Sequence, residues 1–282
     1  MADGMTKAMP ALEIRNLRLA FGGLQVLTDI SVSVERGELL ALIGPNGAGK
    51  TSILNCISGI YRPNAGRIVF EDRDLVGLRP HAIARLGIAR TFQHGELFPQ
   101  MTVLENLLVG RHARFLSGPL AQGPLAQGPL AEGLFLPGVR RQEAEHRRKA
   151  EEILDFVELQ RYRHHPVGGL PFGLQKVIGF ARALALEPKI LLLDEPSAGL
   201  NRDEREDLAR HILRIKHEVG VAIIWVEHDM QMVADLADRL YVLDYGEHLA
   251  DGDPASVLSD PKVIAAYLGQ KRSAAPLDTR PS

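Results

Sequence analysis

One cysteine, Cys56, occurs in 282 residues, so no disulfide can form within the chain. Folding must then rest on a hydrophobic core, and a chain of this length can bury one without staples or a structural metal. The scarcity also makes a reducing, cytoplasmic compartment the expected setting. Cys56 follows a glycine-rich loop in a helical stretch and reads as a small core residue rather than a nucleophile. Long apolar runs are missing too. Stretches such as residues 221–226 fall far short of the ~18 residues that span a bilayer, so the chain can be neither a channel nor a pump by itself. Residues 1–10 lack the apolar core of a secretory signal. Broad positive charge is lacking as well: 33 Lys and Arg face 35 Asp and Glu, which argues against a nucleic-acid partner. The histidines show no metal-ligand spacing, and His164-His165 reads as loop surface. What remains is ordinary globular composition, 45% hydrophobic and 24% charged.

Residues 12–20 and 30–35 alternate apolar and polar positions, as half-buried strands do. Residues 39–43, 190–193 and 221–226 are continuous apolar runs, the mark of strands covered on both faces. Helical spacing follows at residues 51–60 and 206–218. Strands alternating with helices predict a parallel α/β core, opened by a more antiparallel N-terminal portion. Thr102-Val-Leu-Glu105 is a capping-box pattern, predicting a helix that ends near Arg114. The pentamer Gly118-Pro-Leu-Ala-Gln122 then recurs at 123–127 and, ending in Glu132, at 128–132. Repeated Gly-Pro cannot continue a helix, so this segment is expected to be an exposed loop expansion. Residues 140–157 read as a charged helix, with Glu143/Arg147 and Glu145/Lys149 as i,i+4 pairs. From Lys271 onward a disordered tail is expected.

Gly44, Pro45, Asn46, Gly47, Ala48, Gly49, Lys50 and Thr51 fit the G-x-x-x-x-G-K-[ST] phosphate loop, placed between strand and helix as its mechanism requires. Glycines let backbone N–H groups wrap phosphates, and the helix N-terminus adds partial positive charge, with Ser52 in the same first turn. Lys50 is expected to reach the β- and γ-phosphates of ATP, and the Thr51 hydroxyl to ligate Mg²⁺. An apolar strand ending in Asp194-Glu195 supplies a carboxylate for Mg²⁺ and, next to it, a general base for the attacking water.

Further motifs follow in a fixed order. Gln93 comes after the strand-like residues 88–92. Leu170-Pro-Phe-Gly-Leu-Gln175 precedes a helix, Ser197-Ala-Gly-Leu-Asn201 follows the Asp-Glu pair, and Glu227-His228-Asp229 follows the next strand. In this order, across about residues 11–270, the chain resembles the ATPase of ABC transporters. The resemblance implies an α/β fold with a P-loop NTPase (RecA-like) core, an N-terminal antiparallel β portion and an inserted helical subdomain, about residues 95–185, carrying the loop insertion 117–138. It also implies individual roles. Phe21 stacks on adenine, Gln93 senses Mg²⁺ and the attacking water, and His228 contacts the γ-phosphate. Leu170, Pro171, Phe172, Gly173 and Asn201 meet the nucleotide of a second ATPase subunit.

The signature departs from the usual Leu-Ser-Gly-Gly-Gln. Pro171 replaces the serine, Phe172 a glycine and Leu174 a glutamine, while Asn201 replaces the usual aspartate of the loop after the Asp-Glu pair. Gly173 and the helix start survive, so backbone donors can still face a phosphate. With Phe21-Gly-Gly, Glu227-His-Asp-Met230 and Val263-Ile-Ala-Ala-Tyr-Leu-Gly269, these departures resemble the longer ATPase subunit of bacterial branched-chain amino-acid importers. That implies permease partners, a second ATPase subunit and, indirectly, a periplasmic binding protein, with the chain on the cytoplasmic face of the inner membrane. A lipid or lipopolysaccharide exporter ATPase carries the same motifs. A soluble ABC ATPase of ribosomes or DNA would show two cassettes, long heptads or basic patches. A P-loop kinase would not need signature, Asp-Glu pair and histidine together.

Overall fold

Alternation begins at Leu12, and the chain there forms strand β1 (Leu12–Phe21), paired antiparallel with β2 (Leu24–Val34) and, on its other edge, with β4 (Ala65–Phe70). The short β5 (Arg73–Asp74) extends this sheet, in the order β2-β1-β4-β5. The computed structural model describes residues 10–91, 97–115 and 137–273. Packing divides the chain into two compact units, Met1–Gly77 with Ala222–Ser282, and Leu78–Val221.

The first unit holds the antiparallel sheet and a run of largely parallel strands. β3 (Leu39–Ile43) lies between β8 (Ala222–Val226) and β9 (Arg239–Asp244), parallel to both, and β10 (Glu247–Gly252) closes antiparallel on β9. Every residue of β3 and β8 is buried, which is why these segments read as unbroken apolar runs. Helices α1 (Lys50–Ile57), α7 (Met230–Leu236), α8 (Pro254–Leu258) and α9 (Pro261–Ser273) belong to this unit. Lys271, expected to begin a tail, is still helical in α9. Cys56 lies in the core, with its thiol pushed up to about 12 by burial, as an inert core cysteine requires.

In the second unit, β6 (Ile88–Arg90) runs parallel to β7 (Ile190–Asp194), with α2 (Pro80–Leu86) preceding β6. Helices α3 (Val103–Phe115), α4 (Pro137–Phe156) and α5 (Phe172–Leu184) come between the two strands in the chain. The capping box forms as expected: Thr102 N donates to Glu105 Oε2 at 2.7 Å, and Glu105 N to Thr102 Oγ1 at 3.2 Å. Buried Arg111 ties α3 to its neighbours, donating to the Ala185 carbonyl at 2.9 Å and to His146 Nδ1 at 3.1 Å.

Two expectations shift here. In α4 the structure brings together Arg148 with Glu152 and Lys149 with Glu152, not Glu143/Arg147 and Glu145/Lys149. Lys149 also approaches Glu187 at 3.6 Å, so tertiary charge competes for it. The helix expected at 206–218 is α6 (Arg202–Arg214), continued by a π-turn at Ile215–Val219. It starts early because Asn201 and Glu204 make a second capping box. Gln93, Glu96 and the repeat at 118–132 lie outside the described residues. Among the described residues no helix is long and apolar enough to cross a membrane.

Candidate nucleotide site

In the first unit the phosphate loop leaves buried β3 and enters α1 at Gly49, where no side chain caps the helix. A helix N-terminus of this kind, opened by glycine and without a side-chain cap, suits an anion. Gly44 opens the loop at φ 146°, and a Cβ there would fall 2.1 Å from the Leu243 carbonyl oxygen, so only glycine fits. Lys50 is buried, and its Nζ donates to the carbonyls of Gly44 and Pro45 at 2.8 and 2.9 Å. Its ammonium therefore lies back along its own loop, on carbonyl partners weaker than phosphate oxygens. Pro45 and Ala48 are buried, Asn46 and Gly47 exposed, and Thr51 and Ser52 half-buried.

One group unremarked in the sequence braces this loop, and an aromatic of α9 lies near its start. Gly246, in the β9–β10 turn, donates its N–H to the Ala48 carbonyl at 3.1 Å while its own carbonyl accepts from Thr28 N at 2.8 Å. From α9, the Tyr267 hydroxyl is buried near the loop's first residue. Burial pushes this phenol up to about 12, and the Gly44 amide pulls the other way.

The same unit carries Phe21 and His228. Phe21 is 47% exposed at the end of β1, with Tyr61 packed edge-on at 5.0 Å between ring centres. Such an exposed ring has a face to offer a base. His228 follows buried β8 and is exposed; its amide donates to Glu227 Oε1 at 2.9 Å. Glu227 itself is buried, and Asp229 caps α7 by accepting from Met232 N at 3.1 Å.

The second unit carries the acidic pair and the signature. Asp194 ends β7 and is 2% exposed, ion-paired through Oδ2 with Arg90 Nη2 at 2.8 Å. Glu195 follows at φ 47°, half-buried. That left-handed conformation costs a non-glycine residue about 1–2 kcal/mol, strain of the kind that collects at functional turns. Leu170 and Pro171 precede α5, with Pro171 at the N-cap and Gln175 Nε2 donating to the Leu170 carbonyl at 2.8 Å. Phe172 is 54% exposed, with Lys176 Nζ 5.4 Å from its ring centre. Gly173 is buried against α6: a Cβ there would meet Glu204 Oε1 at 2.1 Å. Asn201 accepts from Glu204 N at 3.0 Å, and Glu204 Oε2 accepts from Asn201 N at 3.0 Å, so the signature glycine lies under a helix cap. Gln93 cannot be placed, lying outside the described residues. Sequence inspection missed Arg90, Gly246 and Glu204. Arg90 left a signal as a charge ending an otherwise apolar strand, and Glu204 as the last residue of an Asn-x-x-Glu capping pattern.

An open groove of about 620 Å³ lies between α2 and α3. His81, Arg85 and His112 line it beside Met101, Glu105 and Val109.

The ABC transporter family model matches residues 27–198, and a second model, the branched-chain amino acid ATP-binding cassette transporter, matches residues 247–272. The high-affinity branched-chain amino acid transport ATP-binding protein LivG of Salmonella typhimurium is 39% identical over 263 residues, covering 93% of this chain and 99% of that protein. BraF of Pseudomonas aeruginosa, of the same description, is 40% identical over 262 residues, covering 93% and 98%. Among solved structures, the ADP conformation of MJ1267, an ATP-binding cassette of an ABC transporter, aligns with TM-score 0.78 at 34% identity, over 93% of this chain and 99% of that one. A nucleotide-free cassette aligns at 0.76 and 33%, over 92% and 99%. The chain belongs to the ABC transporter family, as an ATP-binding and ATP-hydrolysing subunit of a transporter, in the branched-chain amino acid branch of that family.

Proposed function

We propose that this chain powers the import of branched-chain or other hydrophobic amino acids, hydrolysing ATP at the cytoplasmic face of the inner membrane while bound to permease subunits. The observation that carries this reading is the match at residues 247–272, because a phosphate loop would serve any cargo whereas this segment is particular to the branched-chain branch.

Lys50 leaves the Gly44 and Pro45 carbonyls for the β- and γ-phosphates, and the amides from Gly44 to Ser52 wrap them. Phe21 stacks on the adenine, an interaction worth about 1–3 kcal/mol. Thr51, Asp194 and Gln93 offer hydroxyl, carboxylate and amide oxygens, hard donors that suit Mg²⁺ and not a softer metal. When bound, Mg²⁺ neutralises charge on the phosphates. Glu195 takes the proton of the attacking water, His228 steadies the γ-phosphate, and Gln93 reports that state to the permease. Residues 170–173 and Asn201 complete the site of a second ATPase subunit. Residues 95–185 act as the helical subdomain, with 117–138 as its loop insertion. The groove between α2 and α3, apolar at Met101, Leu108 and Val109 and charged at Arg85 and Glu105, takes a cytoplasmic helix of the permease. A periplasmic binding protein delivers the amino acid to that permease.

Reconstitution in vesicles with permeases and binding protein tests the assignment. ATP-dependent leucine uptake with phosphate release is expected, and ATP-driven efflux would replace the importer with an exporter.

A further inference from the structure

Asp194 does not wait for a metal alone. Arg90, 104 residues earlier in the chain, holds its Oδ2 at 2.8 Å, and the two side chains are 7% and 2% exposed. Their strands fix this meeting. β6 and β7 are parallel, with Arg90 beside Leu192, and Thr91 N donates to the Leu192 carbonyl at 2.9 Å. The guanidinium therefore reaches along β7 to its terminal carboxylate.

Burying a carboxylate so deeply is costly unless a compensating charge is paired with it. Arginine suits that task because it does not lose its proton. A carboxylate has about four lone-pair sites, so it can accept from a guanidinium and hold a metal ion together. We propose that Arg90 is a positioning residue for the metal-ligand carboxylate. It is a resident counter-ion that holds the Asp194 carboxylate in place in the nucleotide-free chain, and its charge sets how much Mg²⁺ is needed to take that carboxylate over. This rests on Asp194 being the Mg²⁺ holder proposed above.

Two opposite effects follow from one charge. Before the metal binds, Arg90 stabilises the fold by compensating Asp194. Once the metal is bound, a positive guanidinium stands beside a divalent cation and opposes it. Loss of the charge should therefore harm the metal-free protein most, and should lower the Mg²⁺ requirement. A purely structural ion pair would harm both states alike.

The experiment uses the full chain, with Arg90→Met, Arg90→Lys and Asp194→Asn beside wild type. Melting is followed in EDTA with ADP and in Mg²⁺ with ADP, and a fluorescent ADP analogue is titrated with Mg²⁺ to find the half-point of metal-dependent binding. Arg90→Met should melt several degrees below wild type in EDTA and regain most of that deficit with Mg²⁺ and ADP. Its half-point should fall by about tenfold, while Arg90→Lys stays near wild type. If Arg90→Met does not fold, Arg90→Gln, which keeps donors without the charge, carries the same measurements. An equal deficit in both conditions with an unchanged half-point would overturn the inference. Asp194→Asn should abolish the metal dependence; if it leaves the half-point unchanged, the Mg²⁺ role of Asp194 fails and this inference fails with it.

Discussion

Glu195 occupies the first position after a wholly buried strand, in a backbone conformation that glycine usually takes. Strand β7 fixes where its Cα lies, and the left-handed turn fixes which way the chain leaves. Replacing its carboxylate by an isosteric amide preserves that geometry and removes only the basic oxygen. Glu195→Gln should therefore bind MgATP as wild type does and lose about 10²–10⁴-fold in turnover, the usual range for a positioned base. Lys50→Ala removes instead the charge proposed to reach the phosphates, and should raise the nucleotide dissociation constant without any trapped state. Equilibrium binding and phosphate release, measured on both variants, separate the two effects. Wild-type hydrolysis by Glu195→Gln would remove the base from that residue. At this scale the strand–loop–helix setting of Gly44 to Thr51 was legible in sequence, because its spacing is dictated by local backbone chemistry. The Arg90–Asp194 pair was not, since contact between residues 104 apart depends on strand order, which local patterning does not carry.

Between elements, the signature helix α5 and the following α6 share one close contact. Glu204 serves the α6 capping box with one oxygen and lies over Gly173 with the other. A methyl group at position 173 would drive that flexible carboxylate away and dissolve the box. Gly173→Ala should then cost about 1 kcal/mol, the typical worth of a cap, seen as a lower denaturation midpoint. In a Glu204→Ala background the same substitution should cost almost nothing, and a full cost there would show that Glu204 is not what Gly173 makes room for. The two capping boxes show how legibility varies at this scale. Thr102-x-x-Glu105 was recognised from sequence because a helical apolar pattern follows it directly. Asn201-x-x-Glu204 has the same chemistry but opens on the charged run Arg202 to Asp207, so the helix was expected four residues late. Likewise the continuous apolar runs gave β3, β7 and β8 almost to the residue, while β2 was expected to begin at Ile30 and begins at Leu24. Its first residues are exposed and polar in part, and it is held by pairing with β1 rather than by burial.

For the molecule as a whole, the surface chemistry of the second unit points outward. Phe172 is 54% exposed in a position where the usual signature has glycine, and Gly199, against which its ring lies, and Asn201 are exposed as well. An aromatic side chain left in water beside a helix N-terminus is poorly placed in a monomer and well placed at an interface, where aromatic residues carry much of the binding energy. If the signature completes the nucleotide site of a second subunit, catalysis is a property of the pair. Specific ATPase activity of the isolated chain should then fall on dilution, because the dimer dissociates while nucleotide binding to each chain persists. Phe172→Ala should shift that dilution curve to about tenfold higher protein concentration or more, the order of effect of removing an interfacial aromatic anchor. Its melting temperature should stay near wild type, since the exposed ring contributes little to the fold of one chain. Measurement needs only phosphate release across a dilution series, with sedimentation at the same concentrations in the presence of ATP. Activity per chain that stays constant down to samples sedimenting wholly as monomers would place the complete catalytic site within a single subunit.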